Sequence, residues 1–308
     1  MIIPSRHTEQ LQSELEFNRV LVIGLGQLGI PVATYLKQKE FDVYGYDINT
    51  RAMNLANQLS GVKQTSDFTE FDVYILCVST HKPDDMFSPQ TDGLLSVVEK
   101  ISRETNKDGA LLSIESTIPK GTSKKIFEIL KHRLHVVHAP HRWYALDDKE
   151  HGVNQLRVIG GVCDCCLKTG MQFYNGDNLG GGGGSTYLST PYKMRSLGIP
   201  MHPVSAVEIS EVTKVVENAH RYLQIAFAEE LYLYCQANNI NFPELRGALN
   251  TKWNVEILEP REGIRGHCLP KDTRMFLESS NAEKSKILTA AIEVDEDYRR
   301  FRNTMQQF

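Results

Sequence analysis

No stretch of the 308 residues approaches the roughly 20 consecutive apolar residues of a membrane-spanning helix. The opening MIIPSRHTEQLQSELEF has no apolar core of signal-peptide length. With 34 Lys and Arg against 38 Asp and Glu, the chain lacks the basic excess that would draw nucleic acid. Its six cysteines, at 77, 163, 165, 166, 235 and 268, are not spaced as a disulfide framework, which points to a reducing compartment. No internal repeat is visible. These absences leave the expectation of a soluble cytoplasmic protein of two domains, with no membrane and no nucleic acid among its partners.

Metal ligands are scarce too. The run CDCC at 163–166 has no C-x2-C partner pair elsewhere, and three crowded cysteines cannot make a four-ligand site unaided, so the run is expected to start a helix. Histidines 135, 138 and 141 recur every third residue, but LHVVHAP reads as a strand, where such positions face opposite ways. No metal is expected. The stretch NLGGGGGSTYLST (178–190) follows no apolar strand of the kind that precedes a phosphate loop, and it is expected to be a loop or lid.

What is present begins at RVLVIG (19–24), a buried parallel-type strand running into GLGQLG (24–29) and the helical IPVATYLKQKE. This is G-x-G-x-x-G between strand and helix, weak alone but strengthened by VYGYD, a second strand ending in Asp47. Gly24 permits the tight turn, Gly26 lets a pyrophosphate approach the backbone, and Gly29 packs helix on strand, with Gln27 and Leu28 completing the loop. Asp47 would accept from ribose hydroxyls and repel a 2′-phosphate, so the expected cofactor is NAD and not NADP. Arg51 could soften that choice, or simply be an exposed arginine at a helix start. Alternation continues through VYILCVS (73–79), ALLSIES (110–116), LHVVHAP (134–140) and LRVIGG (156–161). The fold class is therefore α/β, a Rossmann-type doubly wound parallel sheet followed by a mostly helical second domain. The expected division is an N-terminal extension at 1–17, a nucleotide-binding domain at 18–200 and the helical domain at 201–308.

Residues 206 to about 239 read as one long helix, with Ile209, Val212, Val216, Leu223, Phe227 and Leu231 as its apolar row. Such a length invites a partner helix, such as that of a dimer mate. Glu211, Lys214, Asn218 and Arg221 follow one another at spacings of three and four, either a functional row or a solvated face. Further on, EGIRGHCLPKD (262–272) sets Cys268 among Arg265, His267, Lys271 and Asp272, surroundings expected to favour a thiolate, with Lys214 and Arg265 holding the thiol below its ordinary pKa of about 8.5.

Three motifs, ESTIPKGT, EVTKVVENAHRYLQIAFAEEL and GHCLPKD, in that order after a Rossmann start, resemble those of the UDP-glucose/GDP-mannose dehydrogenase family over roughly residues 18–300. The resemblance implies oxidation of a nucleotide sugar's C6 primary alcohol to a carboxylate with two NAD in succession. It makes Cys268 the nucleophile that forms a thiohemiacetal and then a thioester, Lys214 and Asn218 the donors to the developing alkoxide, and Asp272 the acid handling protons and water. Thr117 would position water, and Ser79, Thr80 and Thr117 would lie in the nicotinamide-nucleotide region. Three departures accompany it. The sequence stops at Phe308, where the family continues into a domain for the sugar's nucleotide, which implies local groups, a dimer mate or a separate nucleotide-binding partner. His141 replaces a glutamate implicated in thioester breakdown, a substitution an imidazole base could support near neutral pH. Arg261 and Arg265 stand where glycine is usual, either as substrate-phosphate contacts or as partners of acids such as Glu262. A dehydrogenase of a smaller sugar phosphate, and an NAD-binding regulatory subunit without turnover, remain as alternatives.

Overall fold

The computed structural model describes residues 17–82, 84–143, 152–176, 195–279 and 285–305. The glycine-rich stretch expected to be a loop or lid lies outside these residues. Among the described residues the chain forms two compact units, one of Met1–Thr80 with Thr91–Glu211, the other of His81–Gln90 with Val212–Phe308.

The first unit is an eight-stranded sheet in the order β3-β2-β1-β4-β5-β6-β7-β8. Its strands are β1 (Arg19–Ile23), β2 (Asp42–Tyr46), β3 (Lys63–Gln64), β4 (Val73–Leu76), β5 (Leu111–Ile114), β6 (His135–His138), β7 (Arg157–Gly161) and β8 (Met201–Val204). Every neighbouring pair is parallel except β6 with β7. Alternate residues of the central strands enter opposite cores. Val20, Val22, Val73 and Ile75 pack with Val32, Ala33 and Leu36 of α1 (Gly29–Gln38) and Phe173 of α5 (Asp164–Asn175). Leu21, Ile23, Tyr74 and Leu76 pack with Leu94 and Val98 of α3 (Asp92–Glu104) and Ile126 of α4 (Thr122–Leu130). Burial on both faces is why these strands read as unbroken apolar runs, each Val, Leu or Ile contributing about 1.5–3 kcal/mol of transfer free energy. The chain runs β1 to β2 to β3 and then returns past β1 to β4. The crevice at the carboxyl ends of β1 and β4 is thus the switch point where ligands of such sheets bind.

Two strands carried no clear sequence signal. β3 has two residues, and β8 contains Pro203, which an edge strand tolerates because the missing amide faces no neighbour. CDCC does open a helix, with Cys163 at the N-cap of α5.

In the second unit, α6 (Val207–Ala237), which begins in the first, continues beside α7 (Phe242–Leu249), α8 (Cys268–Ser279) and α9 (Lys286–Met305). The long helix forms as expected, but its buried face is not the expected apolar row. Val215, Ala219, Tyr222 and Ala226 are buried, whereas Ile209, Val216 and Phe227 are 44, 38 and 56% exposed. Tyr222 and Ala226 pack on Ile264 and Ala291, where small side chains permit close approach and the tyrosine hydroxyl donates to Asp295 at 3.0 Å. Among the described residues no helix is long and apolar enough to cross a membrane.

Candidate active site

The glycine loop follows β1. Gly24 has φ +90°, and a Cβ there would stand 2.6 Å from the Cys77 carbonyl oxygen; at Gly29 it would stand 1.8 Å from the carbonyl oxygen of Gly24. Both positions therefore require glycine, the first for the turn and the second for the approach of α1 to the strand. A Cβ on Gly26 would meet nothing within 4 Å, leaving the loop's outer side open. α1 starts after Leu28 with no side-chain cap and no acid in its first turn, so its amides and dipole remain available to an anion. Asp47 follows β2 and accepts from the Leu25 amide at 2.8 Å and the Asn49 amide at 2.7 Å. Between them lies an open cleft of about 480 Å³ lined by Leu25, Gly26, Gln27, Asn49, Arg51 and Leu55. Arg51 is exposed on the first turn of α2 (Thr50–Ser60), whose cap is the Asn49 side chain accepting from the Arg51 amide at 3.0 Å. These residues fit a dinucleotide's adenosine and diphosphate.

Ser79 and Thr80 were expected at the end of the strand, but β4 ends at Leu76 and both lie in the loop beyond it. Buried Thr80 donates its hydroxyl to the carbonyl of half-buried Thr117 at 2.7 Å, tying the loops after β4 and β5. Between these loops and β7 lies a charge network that the sequence reading missed. Glu115, 2% exposed, meets His141 Nε2, the Tyr174 hydroxyl and the Arg157 guanidinium, the last at 3.2 Å. Burial opposes its ionisation, but the His141 and Arg157 charges and the two hydrogen bonds overcome that and hold Glu115 down to about 2. His141, expected as a base open to water, is itself only 5% exposed and has Nε2 on this carboxylate. The signal was available: Glu115 opens the motif ESTIPKGT, and Arg157 interrupts an otherwise apolar strand.

The second unit gathers the other candidates. Asn218 donates to Asp272 at 2.5 Å, and Lys271 pairs with the other oxygen of that buried carboxylate at 2.6 Å. Cys268 opens α8 with an exposed side chain, its sulfur 3.6 Å from His267 Nε2. The expected depression of this thiol does not occur. Loss of solvent around the sulfur and the Asp272 charge push Cys268 up, and the Lys271 and Lys214 ammoniums only partly oppose them. Arg265 plays no part, because its guanidinium is turned to Glu262 at 2.7 Å and is 70% exposed. Arg261 sits at φ +49°, a left-handed conformation that explains why glycine suits this position. Of the expected helical row, Lys214 and Asn218 join the cysteine's surroundings. Glu211 instead is buried and accepts from the Gly121 and Ser123 amides at 2.6 and 2.8 Å, capping α4, and exposed Arg221 donates to Gln224 at 3.3 Å. Lys271, expected only among the groups favouring a thiolate at Cys268, is the residue that balances Asp272.

Comparison with known proteins agrees with both units. The family model described as the NAD binding domain of the UDP-glucose/GDP-mannose dehydrogenase family matches residues 54–176, and that of its central domain matches 208–297. A UDP-N-acetyl-D-mannosamine dehydrogenase of Methanococcus maripaludis is 28% identical over 306 residues, covering 92% of this chain and 66% of the relative. One of Campylobacter jejuni is 28% identical over 304 residues, covering 92 and 72%. A solved structure of the UDP-D-ManNAc dehydrogenase from Pyrococcus horikoshii is similar with a TM-score of 0.74 and 26% identity, over 92% of this chain and 69% of that one. The chain thus spans about two thirds of the length of the relatives it matches. With the glycine loop at the sheet's switch point and the two domain matches falling on the Rossmann sheet and the long-helix unit, the chain belongs to the UDP-glucose/GDP-mannose dehydrogenase family and carries that family's NAD-binding domain.

Proposed function

We propose that the chain is an NAD-dependent dehydrogenase that oxidises the C6 alcohol of a nucleotide sugar to a carboxylate through a covalent adduct on Cys268. The observation that supports this most is the grouping of Cys268 with Lys214, Asn218, Lys271 and Asp272 in one unit. A nucleophile, a pair of donors for an oxyanion and a buried acid held by an ammonium are what a two-stage alcohol oxidation needs. The family membership and the names of the relatives favour a UDP-2-acetamido sugar such as UDP-N-acetyl-D-mannosamine as first substrate to test.

The glycine loop and Asp47 would hold NAD, which would supply the hydride acceptor for both oxidations. Lys214 and Asn218 stabilise the alkoxide as the alcohol gives up its proton to solvent water, and loss of the first hydride leaves the aldehyde. The Cys268 sulfur then adds to the aldehyde carbon, forming a C–S bond while the carbonyl pair moves to oxygen and the thiol proton passes to Asp272. A thiohemiacetal has the tetrahedral carbon from which a second hydride can leave, giving a thioester. Water, oriented by Asp272, attacks the acyl carbon, the C–S bond breaks, and the carboxylate and thiol are released. Arg261 and Arg265 are the remaining candidates for the substrate phosphates, Arg265 only by leaving Glu262.

Incubation with UDP-, GDP- and ADP-sugars and their sugar phosphates, followed by NADH absorbance, tests the reading. Two NADH per UDP-sugar and a uronate product are expected; one NADH with free aldehyde overturns the two-stage route, and turnover confined to sugar phosphates overturns the substrate. Cys268→Ala should bind NAD without forming carboxylate, and Lys214→Ala should lose about 100-fold in kcat. A homodimer through α6 is part of the proposal, supported by the exposed Val216, Phe227 and Tyr234 along one stripe. Phe227→Glu should then sediment as a monomer.

A further inference from the structure

The two loops that meet at one end of the first unit's sheet bring together four side chains that no part of the proposed reaction uses. At Cys163 the chain leaves β7 and enters α5, so that Cys163, Cys165 and Cys166 surround the helix start. Cys163 Sγ lies 2.9 Å from Cys165 Sγ and 3.2 Å from Cys166 Sγ. The fourth group comes from the other loop. His132, between α4 and β6, places Nε2 3.4 Å from Cys165 Sγ and 3.8 Å from Cys163 Sγ. All four donor atoms lie within 4.8 Å of one another.

We propose that His132, Cys163, Cys165 and Cys166 form a structural zinc site. Four-coordinate Zn2+ with bonds of about 2.3 Å to sulfur and 2.0 Å to nitrogen needs donor separations of about 3.5–3.8 Å. The separations of His132 Nε2 from Cys165 and Cys163 Sγ are close to this, and Cys163 Sγ needs to part from Cys165 and Cys166 Sγ by less than about 1 Å, a movement open to exposed Cys165 and half-buried Cys163. Three thiolates and one imidazole suit zinc, and with four protein donors the site is closed and hence structural. A disulfide within the run would account for two sulfurs and leave the third cysteine and the histidine without a reason to converge.

Two features around the donors support the assignment. The Val136 amide donates to buried Cys166 Sγ at 3.3 Å, the kind of contact that holds a metal-bound thiolate in place. Lys131 and His132 take φ +49° and +58°, successive left-handed conformations that neither residue favours and that turn the imidazole toward the α5 start. The sequence could not reveal the site because the fourth ligand stands 31 residues before Cys163 and is brought to it by the pairing of β6 with β7.

Metal analysis of the tag-free full chain, purified without chelator, tests the proposal. About one zinc per chain is expected, with most of it lost in both His132→Ala and Cys163→Ser. Co2+ exchanged into the wild-type protein should show thiolate charge-transfer absorption and the visible bands of tetrahedral cobalt. Chelation should lower Tm by roughly 5 °C or more, with recovery on adding Zn2+. NAD affinity of His132→Ala should remain within about threefold of wild type, since that residue is far in sequence and role from the glycine loop. The proposal is overturned by a metal-free protein whose three thiols all react with a thiol reagent, by a disulfide among them in mass spectrometry, by copper or iron in place of zinc, or by zinc content unchanged in both variants.

Discussion

Cys268 shows how a residue's neighbours can reverse what its sequence context suggests. Counting cations near it in the sequence gives a lowered pKa. In three dimensions Arg265 turns to Glu262 and Lys271 to Asp272, and loss of solvent around the sulfur, with the Asp272 charge adding to it, raises the thiol. Alkylation of Cys268 should therefore be slow at neutral pH and accelerate into the alkaline range, and Asp272→Asn should speed it at pH 7.5. Peptide mapping over a pH series measures this, and a maximal rate already at pH 6 would sink the idea. Arg261 offers a stability test of the same kind. Glycine has no Cβ penalty at φ +49°, so Arg261→Gly should stabilise by roughly 0.5–1 kcal/mol despite the added freedom of the unfolded chain, read as a raised urea midpoint.

At the scale of elements, the central strands and the long helix were legible because burial on both faces writes an unbroken apolar run and because helical spacing persists over four turns or more. The helix's inward face was not. Ile, Val and Phe weigh more than Ala and Tyr in any hydrophobic count, yet the close contact is made by Ala219, Tyr222 and Ala226. The same face buries Glu229, 0% exposed; burial, with the charge of Asp295 and a hydrogen bond to it adding to the effect, pushes this carboxyl up to about 8. The folded state thus holds a proton that the unfolded chain releases above about 4.5. The sign follows: the stability linked to Glu229 is full below pH 4.5 and is lost as pH rises through 8, at up to about 1.4 kcal/mol per unit. Glu229→Gln should remove that decline, so chemical denaturation at pH 5, 7 and 9 should give curves that diverge with rising pH. Parallel curves would mean that the carboxylate finds another partner.

The whole molecule then has opposite pH liabilities in its two units. Glu115 in the first is held down to about 2, so its contribution is full above pH 4.5 and drains as pH falls toward 2, whereas Glu229 weakens the second as pH rises. Calorimetry should show the first unit melting earlier in acid and the second earlier in alkali. Trp143, packed against the first unit's core, identifies that transition by fluorescence in Trp253→Phe. The candidate site was legible as a set of motifs, but not the network around Glu115 or the pairing of Lys271 with Asp272, because these depend on which loops the sheet and helices bring to one place. One residue carries a consequence for redesign. Asp47 is expected to select NAD by its charge, and it also latches the glycine loop through the Leu25 amide and its own turn through the Asn49 amide. Replacing it to admit NADP removes a lock along with a filter. Such variants should gain little for the new cofactor while losing affinity for both, until a second substitution re-anchors Leu25.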